Sequence, residues 1–430
     1  SFILNILFIG FALFSLFFGA GNLIFPPFLG RTYGSNCLIA SIGFILTGVG
    51  LASVAVYSMA KKNGDIKEFT KVGGEKLGNL VLLIISVVIG PLGAIPRTAA
   101  TSGEVMIASG INISYNLFII LFFGLTLIFI LTDNKLIDLI GKYLTPLLLV
   151  VLFFMIISGI VNPIGNPSIS SMTKVHTFTK SVVEGYNTMD ALASIVFAPI
   201  VIKSLIEKGY ENDIRRKTVQ VILVAATGLV LVYLSLTYLG ATSTESHNDI
   251  NSRVQLLIIL ARSILGSFGK YILAAIIVLA CFTTSVGLTS SISDMFTKIF
   301  DDKISYNTTA IIVIIISIIL SMVGVDGIIN LTMPLLTFIY PIVLVMIILN
   351  LLNYNLSKSY RKIILGLTGT ISLIQSLSMY ISMLNPDLGS NFEKLIAWLP
   401  LYDYGFPWLV PFIFLFVIGL FNREKSSTLV

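Results

Sequence analysis

Two glycines and an asparagine interrupt the first apolar segment of the chain, at Gly19, Gly21 and Asn22. The segment covers residues 2–29 without a charged side chain, and a helix needs only about 20 residues to cross a bilayer. Glycine weakens a helix, and the two prolines that follow lack an N–H group. A helix break inside a membrane must be buried in protein or line a wet cavity. Because freed N–H groups attract an anion and freed carbonyls a cation, the segment predicts a binding site.

The sixth apolar segment, residues 181–203, is interrupted in a similar way by Glu184, Gly185, Asn187 and Asp190. Matching discontinuities five segments apart are typical of transporters built from inverted repeats, whose site lies midway across the membrane. The alternative is local, since asparagine and aspartate also cap the helices that follow them. Capping and binding are compatible, because a capped half-helix still presents its next N–H groups.

Adjacent hydroxyls lie at the middle of the eighth segment, at Thr284 and Ser285. Their oxygens are hard ligands suited to a small cation such as Na⁺, with freed carbonyls completing the shell. Alternatively, such hydroxyls bond the carbonyl four residues back or support close helix packing.

Arg97, in the third segment, is a charged side chain at a depth where lipid exposure costs at least about 2.5 kcal/mol. It must therefore face the interior of the protein. Glu104 follows two helical turns later on the same face, and Glu184 is a second candidate partner. A structural ion pair and a role in substrate binding or gating are both consistent with this pattern.

The composition assigns the whole chain to the polytopic membrane proteins. Of its 430 residues 56% are hydrophobic and 11% are charged, against about 25% charged in soluble domains. Its two cysteines make neither a disulfide framework nor a metal site, and phosphate-loop and hydrolase motifs are absent. We predict an all-α protein with twelve spans, at residues 2–29, 37–60, 79–108, 115–132, 143–162, 181–203, 217–240, 269–297, 308–325, 327–350, 363–384 and 406–422.

The basic residues predict the orientation of these spans. With both termini in the cytoplasm, 19 of the 27 Lys and Arg fall on the inner face and seven on the outer face, and Arg97 lies within a span. This asymmetry follows the positive-inside rule, so the basic charge does not indicate nucleic acid. Short helices outside the membrane are expected at residues 254–265 and within residues 385–406, because both stretches are weakly apolar and too short to span.

Three motifs resemble those of the bacterial branched-chain amino acid:cation symporter family. The first is Phe14-Ser15-Leu16-Phe17-Phe18-Gly19-Ala20-Gly21-Asn22-Leu23-Ile24-Phe25-Pro26-Pro27. The second is Gly90-Pro91 with Ala94-Ile95-Pro96-Arg97-Thr98-Ala99, and the third is Glu184-Gly185-Tyr186 with Thr188-Met189-Asp190. The resemblance covers essentially the whole chain. It implies uptake of leucine, isoleucine and valine across the bacterial plasma membrane, coupled to Na⁺ or H⁺ and without another cofactor.

More remotely, Gly19-Ala20-Gly21-Asn22 is similar to the first-span motif of sodium-coupled neurotransmitter-type carriers, which have the leucine-transporter fold of five-plus-five inverted repeats. That similarity implies a substrate carboxylate at the Ala20 and Gly21 N–H groups, and a second sodium ion at Asn22. It also implies a sodium ion held by the carbonyls of Ser15 and Phe18 and the hydroxyls of Thr284 and Ser285. Phe25 stands where that pattern has a gate arginine.

We therefore predict a single membrane transport domain, with repeats at residues 1–162 and 181–350 and two added helices at 363–422. The substrate site is expected at Gly19, Ala20, Gly21, Asn22, Gly185, Tyr186, Thr188 and Asp190. One rival is a proton-coupled carrier of another small solute, with Glu184 and Asp190 as the proton relay. The other is a membrane enzyme, for which the sequence offers no catalytic constellation.

Overall fold

The computed structural model describes residues 2–132, 136–245, 250, 252–300, 303–352 and 356–421. Within these residues the protein is built from helices and their connections. The helices are α1 Phe2–Phe17, α2 Ala20–Tyr33, α3 Cys37–Ile45, α4 Ala52–Ala60, α5 Ile66–Thr70, α6 Glu75–Ile89, α7 Ala94–Ala108, α8 Tyr115–Leu131, α9 Leu136–Val161, α10 Lys174–Glu184, α11 Asp190–Glu207, α12 Ile214–Thr242, α13 Arg253–Ile299, α14 Tyr306–Ser321, α15 Gly324–Leu351, α16 Lys358–Leu384, α17 Pro386–Glu393 and α18 Leu409–Phe421.

Each predicted span coincides with one helix or with two consecutive helices of this series. By length and composition, six helical stretches of the described chain could cross a membrane, and the bent pair α10–α11 makes a seventh. Five further apolar helices have 10–17 residues. The number of twelve spans therefore stays a prediction. The positions of the helices along the chain agree with the predicted positions of the spans.

Three spans are interrupted near their middle. The first is broken between α1 and α2, and the sixth between α10 and α11, where a short 3₁₀ turn at Gly185–Thr188 separates two segments bent by 43°. Both breaks were expected. The third span is broken between α6 and α7, at residues 90–93, which was not expected.

The second span is continuous but changes its winding. Between α3 and α4, residues Leu46–Leu51 form a π-helical segment, which accommodates one more residue per turn than an α-helix. Here α3 packs against α10 and α4 packs against α11, so this span follows both halves of the broken sixth span. The Thr47 hydroxyl donates to the Val182 carbonyl at 2.8 Å, close to the end of α10.

The backbones of α2 and α12 pack closely against each other. A Cβ atom on Gly30 would lie 2.8 Å from the Ala241 nitrogen, and one on Gly240 would lie 2.7 Å from Pro27 Cα. Only glycine leaves room for the two backbones at these positions. The helix α2 is continuous through Pro26 and Pro27, so the prolines do not end it.

The expected short helices outside the main spans are present. Residues 253–265 form the first part of α13, which is interrupted at Gly266, where φ is 75°. The second short helix is α17, which follows α16 directly. On the outside of the bundle, large apolar side chains such as Phe153, Phe154 and Ile319 are about 60% exposed, as expected for a surface that contacts lipid.

Candidate functional site

The break in the first span is a change of backbone direction at Gly19, where φ is −107° and ψ is −172°. The Gly19 N–H donates to the Phe17 carbonyl at 2.9 Å and to the Asn22 side-chain oxygen at 3.2 Å. The Asn22 N–H donates to the Gly19 carbonyl at 3.2 Å. The carbonyls of Ser15 and Phe18 therefore lose the N–H partners that a continuous helix would supply.

The break in the sixth span ends at Met189, whose backbone is left-handed with φ of 61°. Asp190 follows as the first residue of α11. Thr188 connects the two sides of the break, since its hydroxyl donates to the Gly185 carbonyl at 3.0 Å and accepts from the Asp190 N–H at 3.4 Å. The break therefore places the Asp190 carboxylate at the N-terminus of a half-helix, where negative charge is stabilised.

Asn22, Asp190 and Tyr233 form a buried polar network that joins α2, α11 and α12. The Asn22 amide donates to Asp190 Oδ2 at 2.8 Å and contacts the Tyr233 hydroxyl. The Tyr233 hydroxyl donates to the same carboxylate oxygen at 3.3 Å. The side chains are 3%, 4% and 0% exposed. Asn22 also receives the Gly19 N–H through its oxygen, so capping and site formation are combined in one residue.

Arg97 lies on α7, close to all three helix breaks, and is 5% exposed. Its Nη1 donates to the Asn187 carbonyl at 2.7 Å, and its Cζ lies 5.3 Å from the centre of the Phe25 ring. On the other side, a Cβ atom on Gly21 would lie 2.8 Å from Arg97 Nη2. The guanidinium therefore sits between the first and sixth spans.

A cavity of about 60 Å³ lies where the three broken spans meet. Its wall combines the backbone of Gly19 and Gly21 with polar and apolar side chains. The lining residues are Leu16, Phe17, Gly19, Gly21, Asn22, Ile89, Ala94, Arg97, Thr98, Thr188, Met189, Asp190, Ala193, Phe197, Thr284 and Leu288. This arrangement offers opposite charges and an apolar surface to one small molecule.

The structure separates the predicted substrate residues into two groups. Gly19, Gly21, Asn22, Thr188 and Asp190 line the cavity, and Ala20 begins the half-helix beside it. Two others lie behind the cavity wall. Tyr186 stacks on Tyr340 at 4.2 Å between ring centres, and a Cβ atom on Gly185 would meet the Phe44 carbonyl at 2.9 Å.

The predicted sodium ligands are also divided. Thr284 lines the cavity, as do Leu16, Phe17 and Gly19 around the first break, whereas Ser15 and Phe18 lie outside its lining. The buried Ser285 hydroxyl lies 3.5 Å from the Thr126 hydroxyl, which directs it toward α8. Thr284 is therefore the better placed of the two hydroxyls for an ion in the cavity.

The expected pairing of Arg97 with Glu104 or Glu184 is wrong for this structure. Glu104 accepts the N–H of Val325, at the start of α15, at 2.7 Å and a weaker bond from the hydroxyl of Ser252, which immediately precedes α13. Seven residues along a helix amount to about 10 Å, which exceeds the reach of a direct ion pair.

Glu184 pairs instead with Arg253, which was not among the predicted site residues. Arg253 Nη2 lies 3.2 Å from Glu184, and Nη1 contacts Asp326. Its Cζ lies 4.4 Å from the ring centre of Phe28 and 5.6 Å from that of Phe25. This arginine therefore joins α10, α13, α15 and α2 above the cavity.

Sequence reasoning also missed Tyr233 and the third break. Tyr233 carried no local signal, because it lies in an ordinary apolar helix. The third break did carry a signal in Gly90, Pro91 and Gly93, but Gly90-Pro91 entered the prediction only as part of a family motif. A Cβ atom on Gly93 would lie 2.7 Å from Met189 Cε, so the breaks of the third and sixth spans pack directly together.

Known structures share this fold. Mhp1, a nucleobase-cation-symport-1 family transporter solved closed with bromovinylhydantoin bound, matches with a TM-score of 0.61 and 13% identity, covering 99% of this chain and 94% of that one. A manganese transporter of Eremococcus coleocola matches with a TM-score of 0.59 and 13% identity, covering 99% and 97%. These likenesses confirm the predicted leucine-transporter-like fold class.

Sequence comparison identifies the family. The branched-chain amino acid permease BraB of Bacillus subtilis (strain 168) is 36% identical over 424 residues, which cover 96% of this chain and 94% of the permease. A profile described as branched-chain amino acid transport protein matches residues 3–426. The resemblance of the three motifs is thereby confirmed, and the chain belongs to the branched-chain amino acid transport protein family.

Proposed function

We propose that the protein is a symporter that imports leucine, isoleucine and valine across the bacterial plasma membrane, driven by a sodium gradient. The observation that carries this proposal is the convergence of three broken spans on one cavity with polar and apolar walls. Members of its family are transport proteins, so a membrane enzyme is not retained as an alternative.

The cavity suits a zwitterion with an aliphatic side chain. The N–H groups of Ala20 and Gly21 begin α2 and carry the positive end of its dipole, which favours a carboxylate. The Asp190 carboxylate lines the cavity beside Asn22 and would attract the ammonium group. Ile89, Phe197 and Leu288 would contact the aliphatic side chain. Each part of a branched-chain amino acid thus has a complementary group.

A sodium ion would bind beside this substrate. The carbonyls of Ser15 and Phe18 and the hydroxyl of Thr284 are neutral hard oxygens near the first break. Because the ion and the carboxylate would bind opposite sides of that break, each would stabilise the backbone geometry that the other needs. Linkage then requires that sodium strengthen leucine binding and that leucine strengthen sodium binding by the same factor.

The transport step would be a movement of the broken spans. The half-helices α1 and α2, and likewise α10 and α11, meet at breaks beside the cavity, whereas α7 packs closely against α13. Alternating access would therefore tilt the half-helices against this pair and open the cavity to one side of the membrane at a time.

Proton coupling is the second candidate, and Asp190 is the observation that favours it. Its carboxylate is buried, lines the cavity and is bonded only to neutral donors among the hydrogen bonds described above. Glu184 is less suited to a relay, because Arg253 holds it in an ion pair.

Reconstituted protein tests the proposal and separates the two ions. We expect proteoliposomes to accumulate radiolabelled leucine when an inward sodium gradient is imposed, and isoleucine and valine to compete. A potassium gradient of equal size serves as the control. Accumulation driven by a pH gradient without sodium would favour proton coupling, and no uptake under either gradient would contradict the proposal.

The proposed orientation is tested by two exposed lysines. We expect Lys67→Cys to face the cytoplasm and Lys174→Cys the outside, in a background without Cys37. An impermeant thiol reagent applied to intact cells should label only the second variant. Labelling of the first variant alone would reverse the orientation.

A further inference from the structure

Arg97 is a buried cation that forms no ion pair within the described residues. The ion pairs found there involve other basic side chains, and no carboxylate oxygen lies within 4.0 Å of its nitrogens. Burying a charge without a counter-ion costs free energy, and such groups in membrane proteins mark substrate or ion pathways. Asp190 lines the same cavity and interacts electrostatically with Arg97, but its hydrogen bonds go to Asn22 and Tyr233. The Nη2 nitrogen of Arg97 is therefore available to bond a ligand.

The surroundings of Arg97 hold its guanidinium in one orientation. Nη1 is bonded to the Asn187 carbonyl at 2.7 Å, and the Phe25 ring lies 5.3 Å from Cζ. Phe25 belongs to α2 and Asn187 to the break in the sixth span. One edge of the planar group is thereby occupied by protein. The arginine fork is suited to two parallel bonds with a carboxylate, which a lysine ammonium cannot reproduce.

The free nitrogen lies beside the N-terminus of α2. A Cβ atom on Gly21 would come within 2.8 Å of Nη2, so the absence of a side chain at this position makes room for the guanidinium. A carboxylate bound by the N–H groups of Ala20 and Gly21 would therefore lie within reach of Nη2. The half-helix and the arginine converge on one anion.

We infer that Arg97 binds the carboxylate of the transported amino acid, together with the first N–H groups of α2. This inference rests on the proposed function and specifies its substrate class. The site requires a free α-carboxylate, so it selects amino acids over the corresponding amines, amino alcohols and amides. The aliphatic side chain then selects among amino acids.

Arg97→Gln and Arg97→Lys test the inference with leucine and leucinol, which has a CH₂OH group in place of the carboxylate. Both compounds are measured as inhibitors of radiolabelled leucine uptake or as competitors in binding to purified protein. For the wild type we expect leucinol to bind at least 100-fold more weakly than leucine. In Arg97→Gln we expect leucine affinity to fall by 10-fold to 100-fold with leucinol affinity unchanged. The leucine affinity of Arg97→Lys should lie between those of the wild type and Arg97→Gln, because lysine keeps the positive charge but not the forked guanidinium.

The leucine-to-leucinol ratio separates a binding role from a structural one. If leucine and leucinol affinities fall by the same factor, Arg97 only supports the fold and the inference is overturned. Wild-type leucine affinity in either variant would also overturn it. If Arg97→Gln does not yield monodisperse protein, Arg97→Lys decides by the same ratio. Failure of wild-type protein to bind or transport any branched-chain amino acid would contradict the proposed function and with it this inference, whereas unchanged Arg97 variants would contradict the inference alone.

Discussion

A single methyl group added to Gly21 should weaken leucine binding strongly. Gly21 does not need a positive φ, so alanine fits its backbone and removes a weak helix former from α2. The new Cβ atom, however, would lie 2.8 Å from Arg97 Nη2 and 3.3 Å from Phe25 Cε2. Ordinary contact begins at 3.4 Å, so the guanidinium must move by about 0.6 Å.

That displacement sets the size of the effect. Because the guanidinium lies between Gly21 and the Asn187 carbonyl, which is already 2.7 Å from Nη1, it cannot move straight away from the new Cβ atom and must turn, which takes Nη2 away from a carboxylate at the N-terminus of α2. A hydrogen bond to a charged group contributes about 1.5–3 kcal/mol. Since about 1.4 kcal/mol corresponds to a factor of ten, we expect the Kd for leucine to rise by roughly tenfold to hundredfold.

Leucine binding to purified Gly21→Ala in a scintillation proximity assay measures this change. Gly124→Ala is the matched control, because Gly124 also lies in a helix and a Cβ atom there meets nothing within 4 Å. We expect the control to bind leucine like the wild type. Monodisperse Gly21→Ala with a Kd within twofold of the wild type would refute the placement of substrate between α2 and Arg97.

Three other variants test separate parts of the structure. Thr284→Ala should raise the sodium concentration for half-maximal leucine uptake by about tenfold, as expected for the loss of one polar contact to a charge, whereas Ser285→Ala should change it less. An unchanged sodium dependence in Thr284→Ala would place the ion elsewhere. Arg253→Gln removes both ion pairs of this residue, so amide hydrogen exchange should become faster at the adjoining ends of α10, α13 and α15. Unchanged exchange would show that the ion pairs do not hold these helices together. Gly240→Ala forces α2 away from α12, which costs about 1–3 kcal/mol by overpacking and should lower Tm by a few degrees, while the Gly124→Ala control keeps the wild-type Tm.

The sequence predicted the helices and two of the three breaks because the responsible signals are local. Long apolar runs mark the spans, and clustered glycines and polar residues mark the interruptions near Gly19 and Gly185. The family motifs added the expectation of a site at these breaks. The cavity contains five of the residues predicted to bind substrate, together with Thr284 from the predicted sodium site.

The remaining features depend on partners that are distant in sequence. Tyr233 joins Asn22 across 211 residues, and nothing in its own helix distinguishes it from other aromatic residues. Arg253 pairs with Glu184 across 69 residues and with Asp326 across 73. Helical periodicity placed Glu104 on the same face as Arg97, but a shared face does not bring two side chains within contact.

The π-helical segment at Leu46–Leu51 has a consequence for insertions and deletions in the second span. Each residue of an α-helix advances the chain by 100° around its axis. Deleting one residue of this segment would restore regular winding, but it would also rotate α4 by about that angle relative to α3. The face of α4 that contains Ala52, whose carbonyl accepts the Ser194 hydroxyl at 3.1 Å, would then turn away from α11 while α3 stayed on α10. The extra residue thus lets the continuous second span face both α10 and α11, the two halves of the bent sixth span. A single-residue deletion here should therefore be far more damaging than any substitution at the same positions.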